Sequence, residues 1–182
     1  ALLEQLPDLR IIAQTGNHAY HIDLAAAGER KIIVAKATGG TRLRLVRLDA
    51  GTSTDLAGTD GALLATFSPD GRSLAFVAAG EVRRLSLTDG TVARVAKALG
   101  DTHGLVWESD DRIYGGGGEA PTCIWSVPAA GGEPRAVGHF DACQVDHLAS
   151  AGPPSDWMLF EEYGKIFAVS RTVSAHMSRF SM

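Results

Sequence analysis

Four groups of residues in this 182-residue chain have types and spacings that could do chemistry. His18 and His21 follow the apolar run at Ile11–Ala13, and imidazoles are the side chains best suited to moving protons near neutral pH. No partner carboxylate or cofactor motif accompanies them, so neither is expected to be catalytic. His139, Cys143 and His147, with Asp141 and Asp146 between them, are zinc-ligand types. Their four-residue spacing converges only on a helix, and this stretch reads as the approach to a strand, so no metal is expected. Gly115–Gly118 with Ala120 fits Gly-x-Gly-x-x-Ala, the spacing of a dinucleotide-binding turn. Such a turn must open a helix, so that a pyrophosphate meets free backbone N–H groups. Pro121 and the strand-like Thr122–Val127 follow instead. The glycines read as a connection between strands, and no cofactor is expected. Ser53, Ser73 and Ser170 have no His/Asp arrangement that would activate a hydroxyl.

Composition narrows the class further. Seventeen basic and 21 acidic residues give a net charge of −4, which offers no reason to expect nucleic acid or an anionic membrane as partner. No run of 18 apolar residues exists to span a membrane, and no leader-like segment opens the chain. The chain begins at Ala1 without an initiator Met, and an excised or incomplete reading frame is expected. The two cysteines, Cys123 and Cys143, are no disulfide framework for a chain of this size. A bridge would need their Cα atoms within about 7 Å. The expectation is two unbridged thiols, with the redox compartment left open.

The elements that must position these residues come in two textures. In the first forty residues, Leu9–Ala13 and Lys31–Lys36 have unbroken apolar centres, as strands buried on both faces do. His21–Arg30 between them reads as a helix with Asp23 as N-cap, which makes a βαβ pattern. From Thr41 the texture changes to alternation, as in Arg42-Leu43-Arg44-Leu45, the mark of a half-buried antiparallel strand. Val46, Leu48, Gly51 and Leu56 then recur 39 residues later as Leu85, Leu87, Gly90 and Val95. Trp125 and Val127 stand 40 beyond Leu85 and Leu87, and Phe67 returns as Trp107. A fainter copy spans Trp157–Val169. Ser68-Pro69-Asp70-Gly71 suits a type I turn, and Asp89-Gly90 and Gly131-Gly132 are hairpin signals. A period near 40 with several short strands per unit belongs to propeller blades, each burying its apolar face on the next. Trp107, Trp125, Trp157 and Phe67 recur at repeat positions and read as core. Arg42, Arg44, Arg47, Arg83 and Arg84 read as solvated strand faces.

Phe67–Phe76 (FSPDGRSLAF), with EVRRLSLTDG and IWSVPAAGGEPR after it, resembles the PD40 repeats of TolB-like β-propellers. The propellers attached to bacterial receptor-type serine/threonine kinases are the nearest of that group. The resemblance covers about residues 41–163. It implies an interaction or sensing module, with any kinase domain outside this chain. The same repeats occur beside prolyl-oligopeptidase-type hydrolase domains, but no Gly-x-Ser-x-Gly elbow is present. The Trp-Asp dipeptide of WD40 blades is missing too, and Asp111 stands where Gly is usual. Residues 2–40 look like part of the catalytic domain of D-isomer-specific 2-hydroxyacid dehydrogenases. In that family a strand of this kind ends in a Gly-containing loop whose amides hold the substrate carboxylate. That resemblance would make Thr15, Gly16, Asn17 and His18 a substrate loop. No nucleotide-binding unit follows, and no Arg, Glu and His trio can be matched. A rival reading makes IDLAAAGERKIIVA a degenerate first blade; the dehydrogenase fragment is preferred because LPDLRIIAQTG is otherwise unexplained.

The expected fold is mainly β: three to four antiparallel β-propeller blades of an incomplete propeller, preceded by a short N-terminal βαβ-like segment. Residues 1–40 form the αβ segment, 41–170 the partial propeller and 171–182 an irregular tail. The expected function is a non-catalytic binding or sensing module from a larger bacterial protein, cytoplasmic or exported. Its partner would be a protein or small ligand, without nucleic acid or membrane insertion. The alternatives are a 2-hydroxyacid dehydrogenase fragment joined to propeller repeats, and the propeller of a prolyl-oligopeptidase-like hydrolase.

Overall fold

Glycine turns spaced every ten residues or so, with β-branched and aromatic residues between them, favour short strands over helices. The computed structural model describes residues 11–14, 26, 29, 33–38, 42–47, 52–117, 123–137, 147–150, 157–162 and 165–170. Among them are fifteen strands in four sheets. The first sheet holds β1 (Ile11–Gln14), β2 (Ile33–Thr38), β3 (Arg42–Arg47) and β4 (Thr52–Asp55). The second holds β5 (Ala62–Phe67), β6 (Ser73–Ala78), β7 (Glu81–Ser86) and β8 (Val92–Lys97). The third holds β9 (Thr102–Trp107), β10 (Arg112–Gly117), β11 (Ile124–Pro128) and β12 (Arg135–Ala136). The fourth holds β13 (His147–Ser150), β14 (Trp157–Glu162) and β15 (Lys165–Ser170).

Each sheet is built in chain order, and every pairing but one is antiparallel. The exception is β1 with β2, parallel through Ile11↔Ile33 to Gln14↔Lys36. Ala26 and Glu29, in the stretch between those strands, are helical. A parallel pair needs a crossover connection between its strands; apart from Ala26 and Glu29, residues 15–32, where the helix was expected, lie outside the described residues. The same sheet then continues across Gly40, because β2 pairs with β3 along its whole length, from Ile33↔Arg47 to Thr38↔Arg42.

The sheets pack in sequence. β1 touches β5, β5 touches β9, and β9 touches β13, so the first strand of each sheet lies beside the first strand of the next. Two apolar layers fill the spaces between sheets. Leu43 of the first sheet meets Phe67, Leu74, Phe76 and Leu85 of the second. The opposite face of the second sheet, with Ala75, Val77 and Val82, meets Leu105, Trp107, Ile113, Trp125 and Val127 of the third. Alternate residues of β6 therefore belong to different layers, which is why Leu74–Ala78 is buried without a break. Alternation of exposure was the expectation for such strands. It fails at β7 too, where Val82 and Leu85, three residues apart, are buried in different layers with Arg83 and Arg84 half-buried between them.

The registers also correct the repeat alignment. Phe67↔Leu74↔Leu85 in the second sheet matches Trp107↔Ile113↔Val127 in the third. Val127, not Trp125, is thus the counterpart of Leu85, so the expected alignment is out by two residues at β11. A two-residue slip keeps every side chain on its own face, so the apolar pattern hid it.

Candidate functional site

Turns, rather than strands, are where such a stack can present chemistry, and their aspartates follow a recurring plan. In the second sheet the β5–β6 turn starts at buried Ser68. Its Oγ donates to Asp70 Oδ1 at 2.6 Å and accepts the Ser73 N–H at 2.9 Å. Asp70 Oδ1 also accepts the Arg72 N–H at 3.0 Å. These donors, the Ser68 hydroxyl first, hold the Asp70 carboxyl below its ordinary value. The β7–β8 turn repeats the device: Asp89 Oδ1 accepts the Thr91 N–H at 2.9 Å and the Thr91 hydroxyl at 2.7 Å, and its pKa falls for that reason. The two turns lie at the same end of the sheet, tied by Leu87 N–H donating to Arg72 O at 2.8 Å.

The third sheet does the same with other residues. Asp110 accepts the Arg112 N–H at 3.1 Å and the Tyr114 hydroxyl at 2.7 Å. Asp111 accepts Trp107 Nε1–H at 3.2 Å, and its backbone is left-handed at φ 58°, as Gly71 is at φ 70° in the preceding unit. The departure from the usual glycine is thus absorbed by a residue type that tolerates this region and by a bond to the core tryptophan. The Arg112 guanidinium reaches across to Ser126 Oγ at 2.8 Å. Ala129 N–H donates to Asp111 O at 2.9 Å, which ties this turn to the one after β11. One end of the second and third sheets is therefore a polar surface of Arg72, Asp89 and Asp110 whose carboxylates are already occupied by their own turns. Its acids are spent on turn geometry.

The remaining charges are paired along strands. Glu81 accepts from Arg83 and from Arg94, both at 2.8 Å, and those two donors lower its pKa. Arg42 and Arg44 hold Asp60 and Asp55 at 2.7 and 2.6 Å on exposed positions. Arg44 keeps the Asp55 carboxyl below its usual range.

The residues singled out from sequence fall out as follows. Thr15, Gly16, Asn17, His18 and His21 lie outside the described residues, as do His139, Asp141, Cys143 and Asp146; His147 opens β13. Among the described residues no group of three or more His, Cys, Asp or Glu could hold a metal. Gly115, Gly116 and Gly117 are strand residues of β10, whereas Gly118 and Ala120 lie outside the described residues. The Gly115 Cα lies so close to the Trp125 ring that a Cβ there would collide with it. Trp107, Trp125 and Phe67 are core, as expected. The expectation of unbridged cysteines is overturned: Cys123 is disulfide-bonded and fully buried.

Sequence reasoning also missed Thr59. It is fully buried in the link between the first and second sheets. Its Oγ1 accepts the Leu43 N–H at 2.9 Å and donates to Leu56 O at 2.6 Å. The hydroxyl thus closes the end of the β3–β4 ladder. A threonine between Gly58 and Asp60 in a turn-rich stretch carries no signal of that role.

No protein-family model matches the chain, and no curated protein matches it by sequence. Solved structures do. One is the hydrazine synthase of Kuenenia stuttgartiensis, at TM-score 0.63 and 11% identity over 90% of this chain and 46% of that one. A chain of a nidogen/laminin complex matches at TM-score 0.60 and 12% identity over 75% of this chain and 54% of its own. The computationally designed protein Ika4 matches at TM-score 0.54 and 13% identity, over 89% of this chain and 90% of its own. This chain spans about half the length of the hydrazine synthase chain and of the nidogen/laminin chain. At such identities the likeness is one of fold alone. It gives a mainly β chain of successive small sheets, compatible with β-propeller-like neighbours.

Proposed function

We propose that this chain is an arc of β-propeller blades serving as a non-catalytic binding or sensing module of a larger bacterial protein, such as a receptor-type serine/threonine kinase. The observation that carries this is the stacking itself. Four sheets follow one another with first strand beside first strand, and the inner two are covered on both faces. A scaffold of this kind is rigid because each sheet is held by its neighbours, and it delivers its turns to one end as a fixed array. The polar end built by Ser68–Arg72, Leu87–Thr91 and Glu108–Arg112 is the surface assigned to the partner, a protein or small ligand. The test is a structure of the longest natural reading frame. Sheets arranged radially, with β1, β5, β9 and β13 nearest a common axis, are the expected result; a two-layer sandwich would overturn it.

A second reading has its own support. The parallel β1–β2 pair, with helical residues between, suits a fragment of a 2-hydroxyacid dehydrogenase catalytic domain. In that reading Thr15–His18 would face a substrate carboxylate. Purified chain mixed with NAD and a panel of 2-hydroxy acids should give no hydride transfer under the binding-module reading. Measurable NADH formation would replace that reading with the dehydrogenase one.

A further inference from the structure

We propose that Asp60-Gly61, in the link between the first and second sheets, is a site of spontaneous isomerisation to isoaspartate, at which the chain ages and which an isoaspartyl carboxyl methyltransferase would recognise. The sequence holds three Asp-Gly dipeptides: Asp60-Gly61, Asp70-Gly71 and Asp89-Gly90. Glycine has no side chain to shield its amide nitrogen, so all three have the composition that lets this nitrogen attack the preceding carboxyl. The structure separates them.

Two of the three are closed by their own turns. Gly71 N–H donates to Ser68 O at 2.8 Å, and Gly90 N–H donates to Ser86 O at 2.9 Å. Their carboxylates are pinned as well. Asp70 Oδ1 accepts from the Ser68 hydroxyl and the Arg72 N–H, and Asp89 Oδ1 accepts from the Thr91 N–H and hydroxyl. Those donors favour the ionised carboxylates, whereas the form that reacts is the neutral acid. Asp60-Gly61 is held far more loosely. Gly61 N–H has no acceptor among the described residues, and a Cβ built on Gly61 would meet nothing within 4 Å. The Asp60 side chain is 64% exposed, and its ion pair with Arg42 is of the solvated kind that exchanges with water at little cost.

In the reaction, Gly61 N bonds to Asp60 Cγ, the Cγ–OH bond breaks, and the amide proton leaves with that hydroxyl as water. Water then adds back to the cyclic imide. Addition at Cγ restores aspartate. Addition at the main-chain carbonyl leaves the chain running through Cβ, with a free carboxylate on Cα. No oxidant or reductant takes part, and the mass is unchanged. The neighbours make the site consequential. Thr59 is fully buried, and its Oγ1 accepts the Leu43 N–H at 2.9 Å. Ala62 N–H donates to Thr59 O at 3.1 Å, closing the turn around Asp60-Gly61 as the chain enters β5. An extra methylene in the main chain of that turn displaces both bonds, so isomerisation loosens the join between the two sheets.

The experiment holds the purified, folded chain in heavy-oxygen water at mildly acidic pH. Isoaspartate is then located by peptide mapping and by enzymatic methylation with labelled S-adenosylmethionine. Isoaspartate carrying one heavy oxygen should accumulate at Asp60 about tenfold or more faster than at Asp70 or Asp89, which must first break their turn bonds. In denaturant the three rates should converge. Asp60→Glu, which keeps a carboxylate for Arg42, should lose the methylation signal at that position. The isomerised fraction should melt about 2–4 °C below the intact chain. Equal rates at the three sites in the folded chain, no accumulation at Asp60, or an isomerised fraction that melts with the intact chain would each overturn the proposal.

Discussion

At the scale of single residues, the stability of this chain depends on small groups in constrained places. Ala79 adopts φ 50° beside Gly80 at φ 72°, so the β6–β7 hairpin turns on two left-handed residues. That is the geometry of a type I′ turn, for which Asn-Gly is the favoured pair. Ala79→Asn should stabilise the chain by about 0.5–1 kcal/mol, read as a higher urea midpoint at unchanged slope. Thr59 works in the opposite sense. Thr59→Val keeps the shape but leaves the buried Leu43 N–H without its acceptor, and about 1–3 kcal/mol should be lost. Thr59→Ser should recover most of it. The carboxylates of Asp70, Asp89 and Glu81 are all held below their ordinary values by their donors. A lowered folded-state pKa contributes stability above the unfolded value and loses it as pH falls through the folded one. The melting temperature should therefore drop as pH is lowered from about 5 to about 3, and Glu81→Gln should flatten part of that drop.

At the scale of elements, what was legible in the sequence was whatever depends on local pattern. Turn chemistry marked out the strands of the second unit, and Ser68-Pro69-Asp70-Gly71 sits between β5 and β6 as its type I reading requires. The two-residue misalignment at β11 was not legible, since a shift by a full period of two leaves the apolar code unchanged. Nor was the bonded state of Cys123, which depends on proximity in space rather than on local pattern. The glycine run of β10 shows the same limit. Its spacing imitates a phosphate-binding turn, whereas at Gly115 the need is room for the Trp125 ring on the neighbouring strand. Gly115→Ala would drive a methyl into that ring, and the third sheet should lose roughly 1–3 kcal/mol or more. Loss of near-ultraviolet circular dichroism, with strand content retained, would report it.

At the scale of the whole molecule, the sheets are not equivalent. The registers put Val34, Lys36 and Thr38 of β2 where the second sheet has Leu74, Phe76 and Ala78. Phe76 is fully buried against the first sheet. On β3 of the first sheet, Arg42 and Arg44 make exposed ion pairs with Asp60 and Asp55. The second and third sheets, buried on both sides, are written for neighbours.

The parallel pairing of β1 carries a consequence of its own. In every other sheet the first strand arrives from the sheet before it, but here the slot beside Ile33–Thr38 is filled by residues borrowed from far upstream. Deleting residues 1–32 would strip that cover and leave a row of bare amide and carbonyl groups along an apolar ribbon. Such an edge recruits strands from other molecules. The shortened chain should precipitate or bind thioflavin T at concentrations where the full chain stays clear, making the upstream strand a guard against self-templating as much as a part of the fold.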